Sequence, residues 1–211
     1  IFVISGVGTL NNNMEHIINF LKKNSETWDF FENFLNENKL TELNKYCIIN
    51  FGIQICLAEI WENWGIKPDI IIGHSLGEIA AIVISGLINL FDAIDLLIEI
   101  SNEVDKHTGW LCHGFDLKLT KDTLISSINF KENDNINMTV CGLSGSYDNF
   151  INQNPKAKKM HVSNPWHHDI YSNSKEIGLE VIKNQGSPKV ELYLPSKIGL
   201  VKNLEDNHWN N

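Results

Sequence analysis

A five-residue segment, Gly73-His74-Ser75-Leu76-Gly77, has the residue types and the spacing of a serine nucleophile. In a G-x-S-x-G pattern a sharp turn holds the serine between a strand and a helix, and the flanking glycines let the chain bend without a Cβ clash. The serine Oγ then projects at a helix N-terminus, where free N–H groups and the helix dipole favour a developing anion. The pattern therefore predicts that Ser75 is a nucleophile and not a structural serine.

A serine nucleophile needs a general base, and histidine is the usual one. His167 and His168 are the best placed, because they follow Pro165-Trp166 at the end of a predicted strand, where catalytic groups gather. The side chain of His74 is expected to diverge from that of its neighbour Ser75. We interpret Asp169 as an exposed turn residue and not as a third member of a triad. Spacing alone does not choose among the eight histidines: His16, His74, His107, His113, His161, His167, His168 and His208.

The elements around the serine motif alternate between strand and helix. An unbroken β-branched run at 70–72 precedes the motif and predicts a central parallel strand buried on both faces. A helix follows from residue 79 to about 85. Together with a strand at 1–5, this alternation predicts an α/β fold with a parallel sheet. Further helices are predicted at 14–23, 26–38, 47–63 and 91–104.

The composition changes near Thr108-Gly109, and shorter elements follow as far as about residue 160. This middle third predicts a small inserted α+β subdomain, with 144–157 as a Ser-, Asn- and Gly-rich loop. A helix and a last strand return the chain to the core. The predicted elements are strands at 110–117, 136–143, 158–163 and 189–194, and helices at 121–129 and 171–184.

Composition excludes several classes of protein. The 211 residues include 17 lysines, no arginine and 26 acidic residues, for a net charge of −9, so no basic cluster is available for nucleic acid. No apolar run is long enough to cross a membrane, and the start lacks a signal peptide and an initiator Met, so we expect an excised cytoplasmic piece of something longer. Without metal-type spacing, the cysteines predict buried free thiols and no metal site: Cys47, Cys56, Cys112 and Cys141.

The stretch from Gln54 to Leu97 closely resembles the acyltransferase domain of polyketide and fatty acid synthases, which includes the malonyl-CoA:acyl carrier protein transacylases. The resemblance rests on Trp64-Gly65-Ile66-Lys67-Pro68-Asp69, on Gly73 to Ala81 (GHSLGEIAA) and on Ser85-Gly86-Leu87. Weaker similarity extends it to three segments outside this stretch: Phe2–Thr9, Val162–His167 and His208–Asn210.

The resemblance implies both a fold and a set of roles. The implied fold is an α/β-hydrolase-like parallel-sheet core at 1–109 and 163–211, with a small, shortened ferredoxin-like subdomain inserted at 110–162. Ser75 would be the nucleophile and His167 the base, with the backbone N–H groups of Val7 and Leu76 as the oxyanion hole. No cofactor would be bound permanently. Acyl-CoA and a phosphopantetheinyl acyl carrier protein would be substrates, and other polyketide synthase domains would be neighbours.

The departures from the family concern the acyl group. Malonyl-type members place an arginine in the helix after the serine, and that position is Ile100 here, so a free carboxylate would lose its bidentate partner. Cys47 stands where many members have a glutamine, and Asn164-Pro165-Trp166-His167 is neither common specificity pattern. We therefore predict that the protein is not specific for malonyl groups. The expected pocket residues are Ile100, His74, Cys47, Asn164 and Trp166.

Three functions follow from these observations. The first is transfer of an acyl group from CoA to an acyl carrier protein, through an acyl-serine. The second is hydrolysis that releases acyl groups from carrier proteins. The third is a degenerate docking module without catalysis. Carrier proteins are acidic, so Lys156, Lys158 and Lys159 in the inserted subdomain are candidates for docking, although a solvated polar loop is the simpler interpretation.

Overall fold

The computed structural model describes residues 1–8, 14–133, 135–171, 182–196 and 200–204. The chain divides into two compact units. Unit 1 comprises Ile1–Ser101 and Glu176–Asn211, and unit 2 comprises Asn102–Lys175. The predicted insertion, 110–162, lies within unit 2.

The described part of unit 1 contains a parallel sheet and five helices, the last of which ends three residues inside unit 2. In the sheet, strand β2 (Ile70–Gly73) lies in the middle, and both neighbours run parallel to it. The register pairs Ile4 with Gly73 on one side and Ile72 with Tyr193 on the other. The predicted α/β class, with 70–72 as the central strand, is thus confirmed. The strands are β1 (Phe2–Ile4), β2 (Ile70–Gly73) and β7 (Glu191–Tyr193), and the helices are α1 (Met14–Asn24), α2 (Glu26–Glu37), α3 (Glu42–Asn63), α4 (Gly77–Ile84) and α5 (Leu90–Val104).

Helix α3 runs through the interior of unit 1. It begins five residues before the predicted start, because Thr41 and Asn44 form a capping box in which each side chain accepts a hydrogen bond from the other residue's backbone N–H. Phe31 of α2 packs edge-on against Phe51 of α3, with ring centroids 5.8 Å apart. The absence of a side chain at Gly52 makes room for this ring, since a Cβ there would lie 2.9 Å from Phe31 Cγ.

Unit 2 is a four-stranded antiparallel sheet with one α-helix among its described residues. The strand order is β4 (Thr123–Glu132), β5 (Asn135–Leu143), β3 (Gly109–Phe115) and β6 (Lys158–Lys159). This is the order of a ferredoxin-like fold, in which two helices normally connect the strands. Here β3 connects to β4 through 116–122 without a helix, so the fold is shortened at this connection. The elements are β3 (Gly109–Phe115), β4 (Thr123–Glu132), β5 (Asn135–Leu143), α6 (Tyr147–Gln153) and β6 (Lys158–Lys159).

Three local predictions in unit 2 are wrong. The predicted helix at 121–129 is strand β4, and the predicted loop at 144–157 contains a 3₁₀ turn and helix α6. The predicted strand at 158–163 is reduced to the two residues of β6. Helix α6 forms because Phe150 is fully buried and lies 4.6 Å from the Trp110 ring, so tertiary packing stabilises a short polar segment.

The remaining predictions concern the cysteines, a membrane-spanning helix and two segments near the C-terminus. All four cysteines are free and buried, as expected. Among the described residues, no helix is both long enough and apolar enough to cross a bilayer. Most of the predicted helix at 171–184 and the segment His208–Asn210 lie outside the described residues.

Candidate functional site

The Gly73–Gly77 segment forms a tight turn between the end of β2 and the start of α4. His74 N–H donates to Ile4 O at 2.9 Å, Gly77 N–H donates to His74 O at 3.0 Å, and Glu78 N–H donates to Ser75 O at 2.9 Å. These bonds hold Ser75 at φ 54°, in the left-handed region that side-chain-bearing residues rarely adopt. A strained serine between strand and helix is the geometry that a nucleophile elbow requires.

The two glycines of the motif are required by close backbone approach. A Cβ on Gly77 would lie 2.5 Å from both Ile4 O and Ser5 O, because α4 begins directly against β1. A Cβ on Gly73 would lie 2.6 Å from the Cα of Glu78. Since both obstructions are backbone atoms, no side chain at either position fits without moving the turn.

Residues 5–8, which follow β1, form a loop that lies directly against the serine. A Cβ on Gly6 would lie 2.7 Å from Ser75 Cβ and 3.2 Å from Ser75 Oγ. Val7, the next residue, is 8% exposed. The loop and the turn of Ser75 therefore lie directly against each other, in the arrangement that the resemblance implied.

The two backbone N–H groups predicted for the oxyanion hole have no hydrogen-bond acceptor within the described residues. These are the amides of Val7 and Leu76. Leu76 also sits at the N-cap of α4, where the positive end of the helix dipole lies. Unpaired amides beside a nucleophile can stabilise a tetrahedral oxyanion.

The remaining predicted residues of unit 1 lie in different environments. His74 is exposed at the turn, and Ile100 is half-buried in α5. Cys47 is fully buried in α3.

Three predicted residues, Asn164, Trp166 and His167, belong to unit 2. His167 is exposed and has φ 62°, so its backbone adopts the same strained conformation as Ser75. The turn that holds it is closed by Trp166 N–H donating to Asn164 O at 3.0 Å and by His168 N–H donating to Pro165 O at 3.1 Å. These bonds present the His167 imidazole at the surface of its unit.

Asn164 and Trp166 are both buried, at 6% and 5% exposure. The Asn164 amide donates to the carbonyl oxygen of Val104, the last residue of α5, at 3.3 Å and to that of His107 at 3.1 Å. Tyr171 Oη donates to the same Val104 oxygen at 3.2 Å. Within unit 2, the segment that carries His167 is thereby bound to the Val104 carbonyl from both sides of the histidine.

The alternative base, His168, has a different arrangement. Its Nδ1 accepts from Ile170 N–H at 3.1 Å and lies 2.9 Å from Asp169 Oδ1. Asp169 is exposed and begins a 3₁₀ turn, as expected for a turn residue.

Sequence reasoning missed two groups of residues at the serine site. Glu78 is 3% exposed, and its two carboxylate oxygens accept from Ser196 N at 2.9 Å and Ser196 Oγ at 2.5 Å. Glu78 thus ties the start of α4 to the chain that follows β7. The second group is a set of polar side chains on α3 that bind the 5–8 loop, including Tyr46 and Gln54. Their four-residue spacing on an apolar helix was the available signal.

The family model of the acyl transferase domain matches residues 7–110. The chain is 47% identical over 46 residues to the non-reducing polyketide synthase stmB of Aspergillus ustus. It is 51% identical over 45 residues to non-reducing polyketide synthase 1 of Elsinoe fawcettii. These matches cover 22% and 21% of this chain, but each covers only 2% of the synthase.

Solved structures of acyltransferases share the fold over nearly the whole chain. One is the acyltransferase domain from the second module of the salinomycin polyketide synthase, with a TM-score of 0.74 and 19% identity over 99% of this chain and 56% of that one. Another is the malonyl-CoA:ACP transacylase of Synechocystis sp. PCC 6803, with a TM-score of 0.76 and 17% identity over 96% of this chain and 76% of that one.

Proposed function

Residues 7–110 belong to the acyl transferase domain family, and from this premise we propose that the chain transfers an acyl group through Ser75. The donor is an acyl-CoA thioester and the acceptor is the phosphopantetheine thiol of an acyl carrier protein. The similarity to polyketide synthases supports a place within such a synthase. The observation that carries the proposal is Ser75 at φ 54° between β2 and α4, beside two amides that have no acceptor in the part of the chain that the structure describes.

The reaction has two symmetrical halves. Ser75 Oγ attacks the thioester carbonyl while His167 takes the hydroxyl proton, and the carbonyl oxygen becomes an oxyanion bound by the N–H groups of Val7 and Leu76. The C–S bond then breaks, and His167 returns the proton to the departing CoA thiolate. In the second half the carrier thiol gives its proton to His167 and attacks the acyl-serine. Collapse of the second tetrahedral intermediate breaks the C–O bond, and His167 returns the proton to Ser75 Oγ, which restores both residues.

The role of His167 is proposed from its motif, and two features of unit 2 support it. The imidazole is exposed, so a substrate and a nucleophile can reach it. Its turn is closed by backbone hydrogen bonds and anchored by Asn164 and Tyr171, which limits the positions the ring can take.

The acyl group is proposed to be monocarboxylic. Malonyl transfer would need a cation to pair with the free carboxylate, and Ile100 offers only an aliphatic side chain. Burying a carboxylate against Ile100 without a partner would cost several kcal/mol.

The test is acylation of the protein by a panel of acyl-CoA donors, read by intact mass. Acetyl-, butyryl- and malonyl-CoA span the relevant chemistry. We expect a mass increase with the monocarboxylic donors, none in Ser75→Ala, and an unchanged increase in Ser187→Ala, which alters an exposed serine elsewhere in unit 1. An acyl adduct that persists in Ser75→Ala would overturn the proposal.

Hydrolysis is the second candidate, and Ile100 is the observation that favours it, because release of stalled monocarboxylic groups requires no carboxylate-binding cation. Incubation with an acylated carrier protein distinguishes the two reactions. Hydrolysis yields free acid, whereas transfer yields acyl-Ser75 or a second acylated carrier. If no donor acylates Ser75, the docking module without catalysis is favoured instead.

A further inference from the structure

Three polar side chains form a stripe along α3, in an otherwise apolar part of the helix. Tyr46, Asn50 and Gln54 are spaced by four residues, which places them on one helix face, one above the other. Asn50 is 1% exposed, and the other two are partly buried. A polar stripe in such a position needs partners, because buried polar groups are costly when they are unpaired.

The partners of the stripe are backbone groups of the 5–8 loop. Gly8 N–H donates to Tyr46 Oη at 2.8 Å, and Gln54 Nε2 donates to Ser5 O at 2.6 Å. Between them, Asn50 Nδ2 approaches Gly6 O at 3.5 Å, and its Oδ1 accepts a 3.0 Å hydrogen bond from Gln54 Nε2. Helix α3 therefore holds the loop at both ends.

The held segment is the one that carries the proposed oxyanion donor. Val7 lies between the two anchored ends, and Gly6 lies against Ser75. Gly8, which Tyr46 binds, has φ 82°, a conformation that glycine adopts without strain. A glycine-rich loop has little rigidity of its own, so its position is determined by what binds it.

We propose that Tyr46 and Gln54 are positioning residues, which fix the Val7 N–H at the distance from Ser75 that an oxyanion requires. Neither acts on the substrate directly. The inference rests on the proposed function, since it assigns to the stripe the task of orienting that function's oxyanion donor.

Tyr46 provides the sharper test of the two. Its hydroxyl oxygen accepts the N–H of the residue directly after Val7, so loss of that oxygen frees the loop at the point nearest the donor. Burial raises the pKa of the Tyr46 phenol, so the hydroxyl stays protonated at neutral pH. Tyr46→Phe retains the ring and its packing and removes only the acceptor.

The main experiment measures single-turnover acylation of Ser75 by acetyl-CoA and by butyryl-CoA. In Tyr46→Phe we expect the maximal acylation rate to fall about 10- to 100-fold, with little change in the donor concentration for half-saturation. The loss falls on the rate because the oxyanion exists only in the transition state and not in the bound donor. Tyr193→Phe is the matched control, since it removes an exposed hydroxyl that bonds only to the nearby Glu191 among the described residues.

A second measurement separates this inference from the proposed function. Hydrogen exchange of the Gly8 amide needs no activity, and Tyr46→Phe is expected to accelerate it about five- to tenfold, the factor that loss of one hydrogen bond gives. If the wild-type protein is not acylated, the proposed function fails and this exchange rate alone decides whether Tyr46 holds the loop. If Tyr46→Phe does not fold, Gln54→Met is the second variant. It is expected to lower the rate of Ser75 acylation and to accelerate amide hydrogen exchange in the same loop. Unchanged exchange, or a wild-type acylation rate in a folded variant, would overturn the inference.

Discussion

Replacement of Ser75 by glycine is predicted to stabilise the protein relative to replacement by alanine. Ser75 has φ 54°, and a residue with a side chain in this region stores roughly 1–3 kcal/mol of strain. Alanine keeps the Cβ and so keeps the strain, whereas glycine adopts the conformation freely. Both variants lose the hydroxyl and its contacts, so the difference in their free energies of unfolding reports the backbone strain at this position.

The expected size of the difference follows from two opposing effects. Relief of strain favours Ser75→Gly, and the greater entropy of glycine in the unfolded chain opposes it by about 0.4–1 kcal/mol. The net gain is about 1 kcal/mol, which corresponds to roughly 2–4 °C in Tm for a chain of this size. Urea unfolding at neutral pH measures the free energy directly, and thermal melting checks it.

One result would refute the reasoning. If Ser75→Gly is no more stable than Ser75→Ala, the turn stores no strain at Ser75 and the nucleophile-elbow interpretation loses its main support. The two variants should also lack acylation equally, since neither has an Oγ.

The other predictions concern the packing of the turn, the anchor of His167, the pocket and the thiols. Gly77→Ala should lower the free energy of unfolding by about 1–3 kcal/mol in urea, because its Cβ would lie 2.5 Å from two backbone oxygens; a wild-type value would contradict the contact. Asn164→Ala should lower the free energy of unfolding by about 1–3 kcal/mol, because the carbonyl oxygens of Val104 and His107 each lose the Asn164 amide as a donor, and a wild-type value in urea would contradict this anchoring role. Ile100→Arg should raise acylation by malonyl-CoA relative to butyryl-CoA in the mass assay, and no change would remove Ile100 from the pocket. Burial raises the pKa of Cys112 and Cys141 from 9.0 to about 11, so the folded state favours the neutral thiols. The free energy of unfolding should therefore keep this contribution below pH 9 and lose it as the pH rises towards about 11. Urea unfolding across that pH range measures the loss, and a constant free energy would contradict it.

The serine turn was predictable from sequence because its determinants are local. The β-branched run, the two glycines and the helix after them lie within fifteen residues, and each has one physical reason to be there. The contact between Gly6 and Ser75 is not local, and only the resemblance to a family indicated it.

Strand β4 illustrates why unit 2 was harder to predict. Ile125 and Ile128 are three residues apart, a spacing that also suits one face of a helix such as the one predicted at 121–129. In the structure, register shifts between Ile125 and Ser127 and between Ile128 and Phe130 add extra residues to the strand. The irregularity puts Ile125 and Ile128 opposite Val140 and Met138, on the same face, so a strand reproduces a three-residue period.

Helix α6 and the α3 stripe were missed for a related reason. The sequence from 147 to 153 is rich in polar residues, and it becomes helical because Phe150 packs on Trp110 across 40 residues of chain. Tyr46 and Gln54 have polar side chains whose partners are backbone atoms about 40 to 50 residues away. Every residue has these backbone atoms, so the residue types of the partner segment do not indicate the hydrogen bonds. In both cases the deciding contact is distant along the chain.

The most direct test of the central claim is to localise an acyl group on the protein after incubation with butyryl-CoA. Tandem mass spectrometry of a proteolytic digest identifies the modified residue. We predict a butyryl ester on Ser75, absent from Ser75→Ala and discharged when a phosphopantetheinyl carrier protein is added. An unmodified Ser75 in folded protein, with butyryl-, acetyl- and malonyl-CoA alike, would contradict the account.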